Sequence, residues 1–286
     1  MKLSIESYVL RNRFGDIKAI EMIKEAGVDA LDYSYYWTDD NPEILGEGYV
    51  EYARKIRKCL EDNNIECNQA HAPIDKMKYG EKFDVSEPNY LEIVRAIESA
   101  SILGAKNIIV HAIPIPFELN DVDFEDYNFQ FYKSLEPYCE KFKICVAIEN
   151  LFVYDKKRDF HQGVLATPKC LCSFIEKLNS PWFVACVDVG HAAITGSEPE
   201  NFIKGMKPGL LSALHIQDTD YLKDRHVLPY MGDINWDNVM SALKSVNYEG
   251  ELTLEVFVYL MRMPDSMLQK ALCFAADMGR YLISLY

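Results

Sequence analysis

The sequence predicts a (β/α)8 barrel occupying one domain over residues 1–286, and three observations carry that reading. Short runs rich in Val, Ile and Leu recur along the chain, each followed by a longer segment whose apolar residues keep helical spacing, the alternation of a parallel sheet. The alternation is unbroken through eight units. From the third run onward each ends in a His, Asp or Glu, at intervals of 40, 38, 39, 27 and 40 residues, about one per β/α unit. An open doubly wound sheet would share the local pattern but spread those residues along an edge. In a barrel, the C-terminal ends of successive strands face one mouth.

Taken in order, the first strand falls near 2–8 and its helix near 16–26, stopped at Gly27. The second strand, near 28–33, runs into Tyr33-Ser34-Tyr35-Tyr36-Trp37 and is followed by a helix near 49–63. The third, near 65–70, reads IECNQAH and delivers His71; its helix near 86–103 stops at Gly104. NIIVH, near 107–111, delivers His111 before a helix near 125–142. ICVAIE, near 144–149, ends on Glu149, with a helix near 168–178. FVACVD, near 183–188, ends on Asp188, with a helix near 198–206. LLSALH, near 210–215, ends on His215, and ELTLE, near 251–256, on Glu255; helices near 236–246 and 265–284 follow them.

Composition narrows the function classes. With 30 Lys+Arg against 44 Asp+Glu, the formal charge of -14 opposes a partner held through a phosphate backbone, so no nucleic acid is expected. The one local basic run is Lys156-Lys157-Arg158. No stretch approaches the roughly 20 apolar residues of a membrane span, and the first residues lack the apolar core of a signal peptide, so a cytoplasmic protein without a membrane partner is expected. Eight cysteines without a CxxC pair read as buried thiols in a reducing compartment.

A single His or Glu at a strand end is commonly a solvated loop residue. Six in register, with imidazole and carboxylate mixed and no matching set of cysteines, point to a divalent metal held by nitrogen and oxygen. Beyond the strands, His191 follows Asp188 in Asp188-Val189-Gly190-His191, and Asp224 and His226 form an Asp-x-His. His161 has no assigned role.

The set Glu149-Asn150, Asp188-Val189-Gly190-His191, Leu214-His215-Ile216-Gln217-Asp218, Asp224-Arg225-His226 and Glu255 resembles the xylose isomerase-like TIM-barrel superfamily, in particular its sugar (phosphate) isomerase/epimerase branch, over essentially the whole chain. The resemblance implies one divalent ion (Mn, Co, Mg or Zn) on Glu149, Asp188, His215 and Glu255. It further implies that Glu149 and Glu255 are acid/base groups, and that His191 contacts a substrate oxygen. The segment HVLPYMGDINW (His226 to Trp236) is similar to a family loop ending in Gly-Asp-Ile-x-Trp, departing where Tyr230 and Met231 replace a usual Gly and acidic residue. Endonuclease IV, a zinc phosphodiesterase of the same superfamily, has a three-zinc site that maps onto His71, His111, Glu149, Asp188, His191, His215, Asp224, His226 and Glu255. The acidic balance favours the isomerase side, with a homo-oligomer of even number compatible with the resemblance.

The expected chemistry is proton transfer beside a carbonyl of a small carbohydrate, through a metal-stabilised enediolate, one glutamate removing the proton and the other returning it. Epimerisation, aldose–ketose isomerisation and dehydration all remain open at this point. The expected substrate contacts are His71, His111, His191, Trp37 and Tyr8, with Asp224 and His226 as additional metal or substrate groups. Phe117 and Phe152 either flank the substrate or cap the barrel. A non-catalytic binding protein would usually have lost a ligand, and none is missing here.

Overall fold

The computed structural model describes residues 1–36, 43–74, 77–80, 84–114, 121–153 and 161–286; Trp37, Phe117 and the run Lys156-Lys157-Arg158 lie outside them. It is a (β/α)8 barrel. The barrel strands are β1 (Leu3–Glu6), β2 (Ala30–Ser34), β3 (Glu66–His71), β4 (Asn107–Ile109), β5 (Cys145–Glu149), β8 (Phe183–Asp188), β9 (Leu211–His215) and β10 (Leu252–Leu254). Each is parallel to its neighbours in the order β10-β1-β2-β3-β4-β5-β8-β9. Closure between β9 and β10 is made just past the strand ends. There the Ile216 N–H donates to Thr253 O (2.8 Å) and the Glu255 N–H donates to Ile216 O (3.0 Å). The hairpin of β6 (Phe152–Val153) and β7 (His161–Gln162) is antiparallel and stands apart from the barrel.

The outer helices are α1 (Tyr8–Glu25), α2 (Tyr49–Asn63), α3 (Pro88–Leu103), α4 (Asp121–Phe142), α5 (Pro168–Leu178), α7 (Pro199–Gly205), α8 (Trp236–Ser245) and α10 (Asp265–Leu285). Their starts are chemically marked. Pro88, Pro168 and Pro199 occupy first-turn positions where a missing N–H is harmless, and Thr167 and Asn235 cap α5 and α8 through their side chains. Helix α1 begins eight residues earlier than the spacing predicts because two helical segments run together across Gly15, whose φ of 76° breaks the periodicity. Two short helices, α6 (Val189–Ile194) and α9 (Phe257–Met261), follow β8 and β10 directly and are too short to leave a periodic signal.

Most of the hydrophobic core lies between strands and helices, as in Leu3, Ile5, Ile108, Val146, Val187, Leu214 and Leu254 packed against Phe131, Phe174, Trp236 and Leu272. Each such aliphatic side chain stabilises the fold by about 2 kcal/mol. Inside the barrel the filling is divided. Ile109, Ala147, Cys186 and Ala213 form a small apolar cluster of their own. Opposite them is a polar ladder. Ser4 Oγ donates to Asn68 Oδ1 (2.6 Å), Asn68 Nδ2 to Thr253 Oγ1 (3.3 Å), Thr253 Oγ1 to Gln69 Oε1 (3.2 Å), and Gln69 Nε2 to Asp32 Oδ2 (2.8 Å). Consecutive residues of a strand normally face opposite ways. A register shift that skips Asn68 in the β2–β3 pairing lets Asn68 and Gln69 both join this ladder.

Candidate functional site

At the C-terminal end of the barrel, Glu149 closes β5, Asp188 closes β8, His215 closes β9 and Glu255 stands one residue past β10. Donor atoms of these four side chains all lie within 4.8 Å of one another, and all four side chains are buried. Two adjoining groups share this geometry, His71–His111–Glu149 and His191–Asp224–His226, and a third, Glu149–Cys186–His215, includes a thiol that burial pushes up to about 12. Above the floor opens a cavity of about 360 Å³, lined by Tyr36, His71, His111, Glu149, Phe152, His191, Asp224, His226, Glu255 and Phe257 among others. Asp188 and His215 lie beneath its lining.

The local sequence explains how each group is held. Asp188 is both strand end and helix cap: its Oδ1 accepts the His191 N–H at 2.7 Å, starting α6 at the mouth. Asn150 fastens β5 to β8, donating from Nδ2 to Asp188 O (2.9 Å) and accepting the Asp188 N–H (2.8 Å). Gln217 donates to Asp224 Oδ1 (2.7 Å) and reaches Asp188, while its Oε1 accepts the His226 N–H (2.8 Å). A Cβ at position 190 would stand 2.5 Å from Gln217 Cδ, which accounts for glycine in the Asp-Val-Gly-His run. In the Gly-Asp-Ile-x-Trp loop, Asp218 accepts from the Ile234 N–H (3.2 Å) and Trp236 Nε1 (2.9 Å). Tyr230, where the family loop has glycine, adopts a φ of 68°; it and Met231 are exposed and are not among the cavity-lining residues.

Four of the five histidines at the mouth have a fixed orientation. Nδ1 of His71, His191 and His226 donates to the backbone carbonyls of Ala72 (2.8 Å), Asn150 (3.0 Å) and Glu255 (3.1 Å). A carbonyl only accepts, so Nδ1 carries the hydrogen and Nε2 is turned toward the cluster. His215 is reversed, with Nδ1 2.8 Å from Glu149 Oε1 and Nε2 3.3 Å from Asp32 Oδ2. His111 donates from Nε2 to Glu149 Oε2 at 2.7 Å.

Electrostatics separate these groups. Burial, aided by the neighbouring His111, holds His71 down at about 3, so it is neutral. Burial also opposes charge on His191, but Asp188 and Asp224 outweigh it and lift His191 to about 10. His215 and His226 are raised as well, against burial: Cys186 first, then Glu255 and Glu149, beside His215, and chiefly Asp224 beside His226. Burial would raise Glu149 and Glu255, yet the adjacent His215 and further imidazoles hold Glu149 well below its usual range and Glu255 near 2. Asp188 goes the other way, to about 7, because burial and the neighbouring Glu255 and Glu149 exceed the pull of His191. Buried carboxylates packed against imidazoles, with Glu255 Oε2 lacking a hydrogen-bond partner, form a donor set that suits a divalent cation.

One expected substrate residue, Tyr8, stands outside the cavity lining. β1 ends at Glu6, so Tyr8 is the first residue of α1 rather than a strand end, and its ring packs 5.7 Å from Tyr36. Tyr33 and Tyr35 face away from the cavity: Tyr33 donates to Asp16 (2.8 Å) and Tyr35 to Ser99 (2.7 Å). Tyr36 alone of those three lines the cavity, and its hydroxyl donates to Glu255 Oε1. Trp37 lies outside the described residues. Sequence reasoning missed Glu6 and Asp32, two buried carboxylates on β1 and β2, whose only signal is a single charge in a short, otherwise uncharged strand.

A family model described as "Xylose isomerase-like TIM barrel" matches residues 20–276. Among curated proteins, the chain is 24% identical over 261 residues to the uncharacterized protein MJ1311 of Methanocaldococcus jannaschii, covering 87% of this chain and 85% of that one. It is 22% identical over 261 residues to the uncharacterized protein y4fM of Sinorhizobium fredii, covering 83% and 79%. Among solved structures it resembles D-psicose 3-epimerase in the presence of D-fructose (17% identity, 99% of each chain, TM-score 0.76). It also resembles an IOLI protein with a bound zinc atom (18% identity, 99% and 96% of the chains, TM-score 0.72). Among the described residues, no helix is long and apolar enough to cross a membrane.

Proposed function

The chain belongs to the xylose isomerase-like TIM barrel family, and on that footing we propose that it is a metal-dependent epimerase or isomerase of a small, unphosphorylated keto sugar or polyol-derived ketone. The observation that carries this reading is the placement of two glutamates, Glu149 and Glu255, in one four-donor cluster at the floor of a cavity of about 360 Å³. That volume falls at the small end of ligand sites. The described lining residues include no Lys or Arg to grip a phosphate. The sugar epimerases among the structural neighbours agree with a carbohydrate substrate.

Glu149, Asp188, His215 and Glu255 would hold the ion, which when bound supplies Lewis acidity to adjacent carbonyl and hydroxyl oxygens. The chain's own groups do the rest. Glu149 and Glu255 are both held ionised by imidazoles in the metal-free cluster, so either can remove a carbon-bound proton. Isomerisation returns that proton from the same carboxyl, and epimerisation requires the other glutamate to have taken up a proton beforehand to deliver it to the opposite face. His111 fixes Glu149 and Tyr36 fixes Glu255 by donating to one oxygen of each. Neutral His71 has an acceptor Nε2 at the cavity, 3.1 Å from His111 Nε2, and would accept a substrate hydroxyl in place of that contact. Phe152 and Phe257 supply apolar walls.

The inward Nε2 atoms of His191 and His226 beside Asp224 favour a second reading, a zinc phosphodiesterase similar to endonuclease IV holding several ions. Elemental analysis separates the two, with about one metal per chain expected here and about three Zn for the phosphodiesterase. Incubation of Mn- or Co-loaded protein with a ketohexose panel in heavy water, read by proton NMR, should show one carbon-bound proton exchanging as product forms. Absence of exchange across the panel, with hydrolysis of a phosphodiester instead, would overturn the proposal.

A further inference from the structure

We infer that Asp32 is the positioning residue for His215: its carboxylate holds the Nε2–H of the imidazole, so that Nδ1 presents its lone pair to the four-donor cluster. The inference rests on the metal reading of that cluster. Asp32 lies on β2, is fully buried, and its Oδ1 has no hydrogen-bond partner. Leaving a carboxylate in such a place costs several kcal/mol unless its charge is answered. Among the described residues the ion-pair partner of Asp32 is His215, at 3.3 Å.

A purely structural role does not require the charge. The other contact of Oδ2 is the Gln69 amide at 2.8 Å, which a neutral Asn would accept equally well. Gln69 is itself fixed by Thr253, so the barrel's polar ladder ends on Asp32 and aims it at the imidazole. The contrast with the other histidines points the same way. His71, His191 and His226 each meet a backbone carbonyl with Nδ1, and the carboxylate also near that nitrogen of His226, Glu255 Oε2 at 3.3 Å, belongs to the cluster itself, whereas the outward nitrogen of His215, Nε2, meets Asp32, a carboxylate outside the four donors. A carboxylate there fixes the tautomer and makes the imidazole a stronger donor to a cation; losing such a partner typically weakens metal affinity 10- to 100-fold.

The test compares parent and Asp32→Asn protein by cobalt(II) titration, following the visible absorption band, alongside thermal unfolding of the metal-free forms. The expected result is a cobalt dissociation constant raised about 10- to 100-fold and an altered band, with metal-free unfolding little changed. Affinity within about twofold of the parent and an identical band would overturn the inference while leaving the metal reading intact. Should the variant fail to fold, the decision falls to long-range proton–nitrogen NMR on histidine-labelled, zinc-loaded parent. His215 protonated at Nε2 and shifted at Nδ1 upholds the assignment, and the reverse pattern removes it. If the parent binds neither cobalt nor zinc, both this inference and the metal reading fall.

Discussion

Replacing Glu6 by Gln isolates one buried charge and turns it into a pH-dependent stability. Glu6 is 1% exposed at the end of β1; its Oε1 accepts from the Tyr8 N–H and from Ser34 Oγ, and its Oε2 has no partner. Burial, only partly offset by those two hydrogen bonds and reinforced by Asp32 and Glu255, raises it from 4.5 to about 8. A raised acid stabilises the folded state in its protonated form. That contribution is fully present below about 4.5 and is lost as pH rises through about 8. Integrated from pH 5 to pH 7, the loss is on the order of 2.5 kcal/mol at about 1.4 kcal/mol per pK unit. Glutamine keeps the Oε1 acceptor but does not titrate, so the stability difference between Glu6→Gln and the parent should shift in the variant's favour by about that amount. The assay is urea unfolding of metal-free protein at pH 5, 6 and 7. A difference flat to within about 0.5 kcal/mol over that range would show that Glu6 does not carry a raised acid.

Glu255→Gln should leave the barrel folded and abolish proton exchange into a keto sugar, while Tyr36→Phe, which removes only the donor to Glu255 Oε1, should lower kcat about 10-fold with KM little changed. Equal kcat in parent and Tyr36→Phe would remove that hydroxyl from the chemistry. Gly190→Ala drives a methyl into Gln217 and should lower stability by about 2–3 kcal/mol, seen as a drop in Tm; an unchanged Tm would mean α6 is free to shift. Metal removal by chelator should lower the unfolding free energy by about 2.7 kcal/mol relative to protein held at 100 times the dissociation constant, and Tm should rise with the logarithm of free metal; a Tm that does not depend on metal would refute this. Because Cys186, Glu255 and Glu149 raise His215 in the metal-free cluster, metal affinity should rise with pH as its extra proton is displaced; a pH-independent affinity would place the ion elsewhere.

How far the molecule was legible in its sequence depends on the kind of position. Strands such as β4, β5 and β8 announce themselves because both faces of a parallel strand are covered, leaving near-continuous apolar runs such as NIIVH and FVACVD. Glu149, Asp188, His215 and Glu255 stand out because a polar residue abruptly ends each run, and His71 because it falls in step with them, 40 residues before His111. Glu6, Asp32, Asn68 and Gln69 do not, since they interrupt the apolar pattern from within and look like solvent-facing residues of a half-exposed strand. The Asn68 bulge hides them further, because skipping one residue defeats the period-two rule by which inward positions are counted. The tyrosine run after β2 was uninformative for another reason. Tyr33, Tyr35 and Tyr36 are equally buried, and only their partners, Asp16, Ser99 and Glu255, separate scaffold from site.

The orientation of the histidines bears directly on how many ions the site takes. In the four-donor cluster one imidazole meets three carboxylates, an oxygen-rich set suited to Mn, Mg or Co as well as Zn. His191 and His226, by contrast, converge through Nε2 on one carboxylate, Asp224, a nitrogen-rich set that suits zinc. Without a second ion, those imidazoles serve as cations: Asp224 is held well below its ordinary range by His226 and His191, against its burial, and accepts the His226 Nε2–H at 2.9 Å. With a second ion, both protons must leave. Substituting Asp224 by Asn therefore discriminates. In a one-metal epimerase it should lower metal stoichiometry not at all and affect mainly KM, because the ion's four donors are untouched. In a several-zinc phosphodiesterase it should cost at least one bound zinc per chain, counted by elemental analysis.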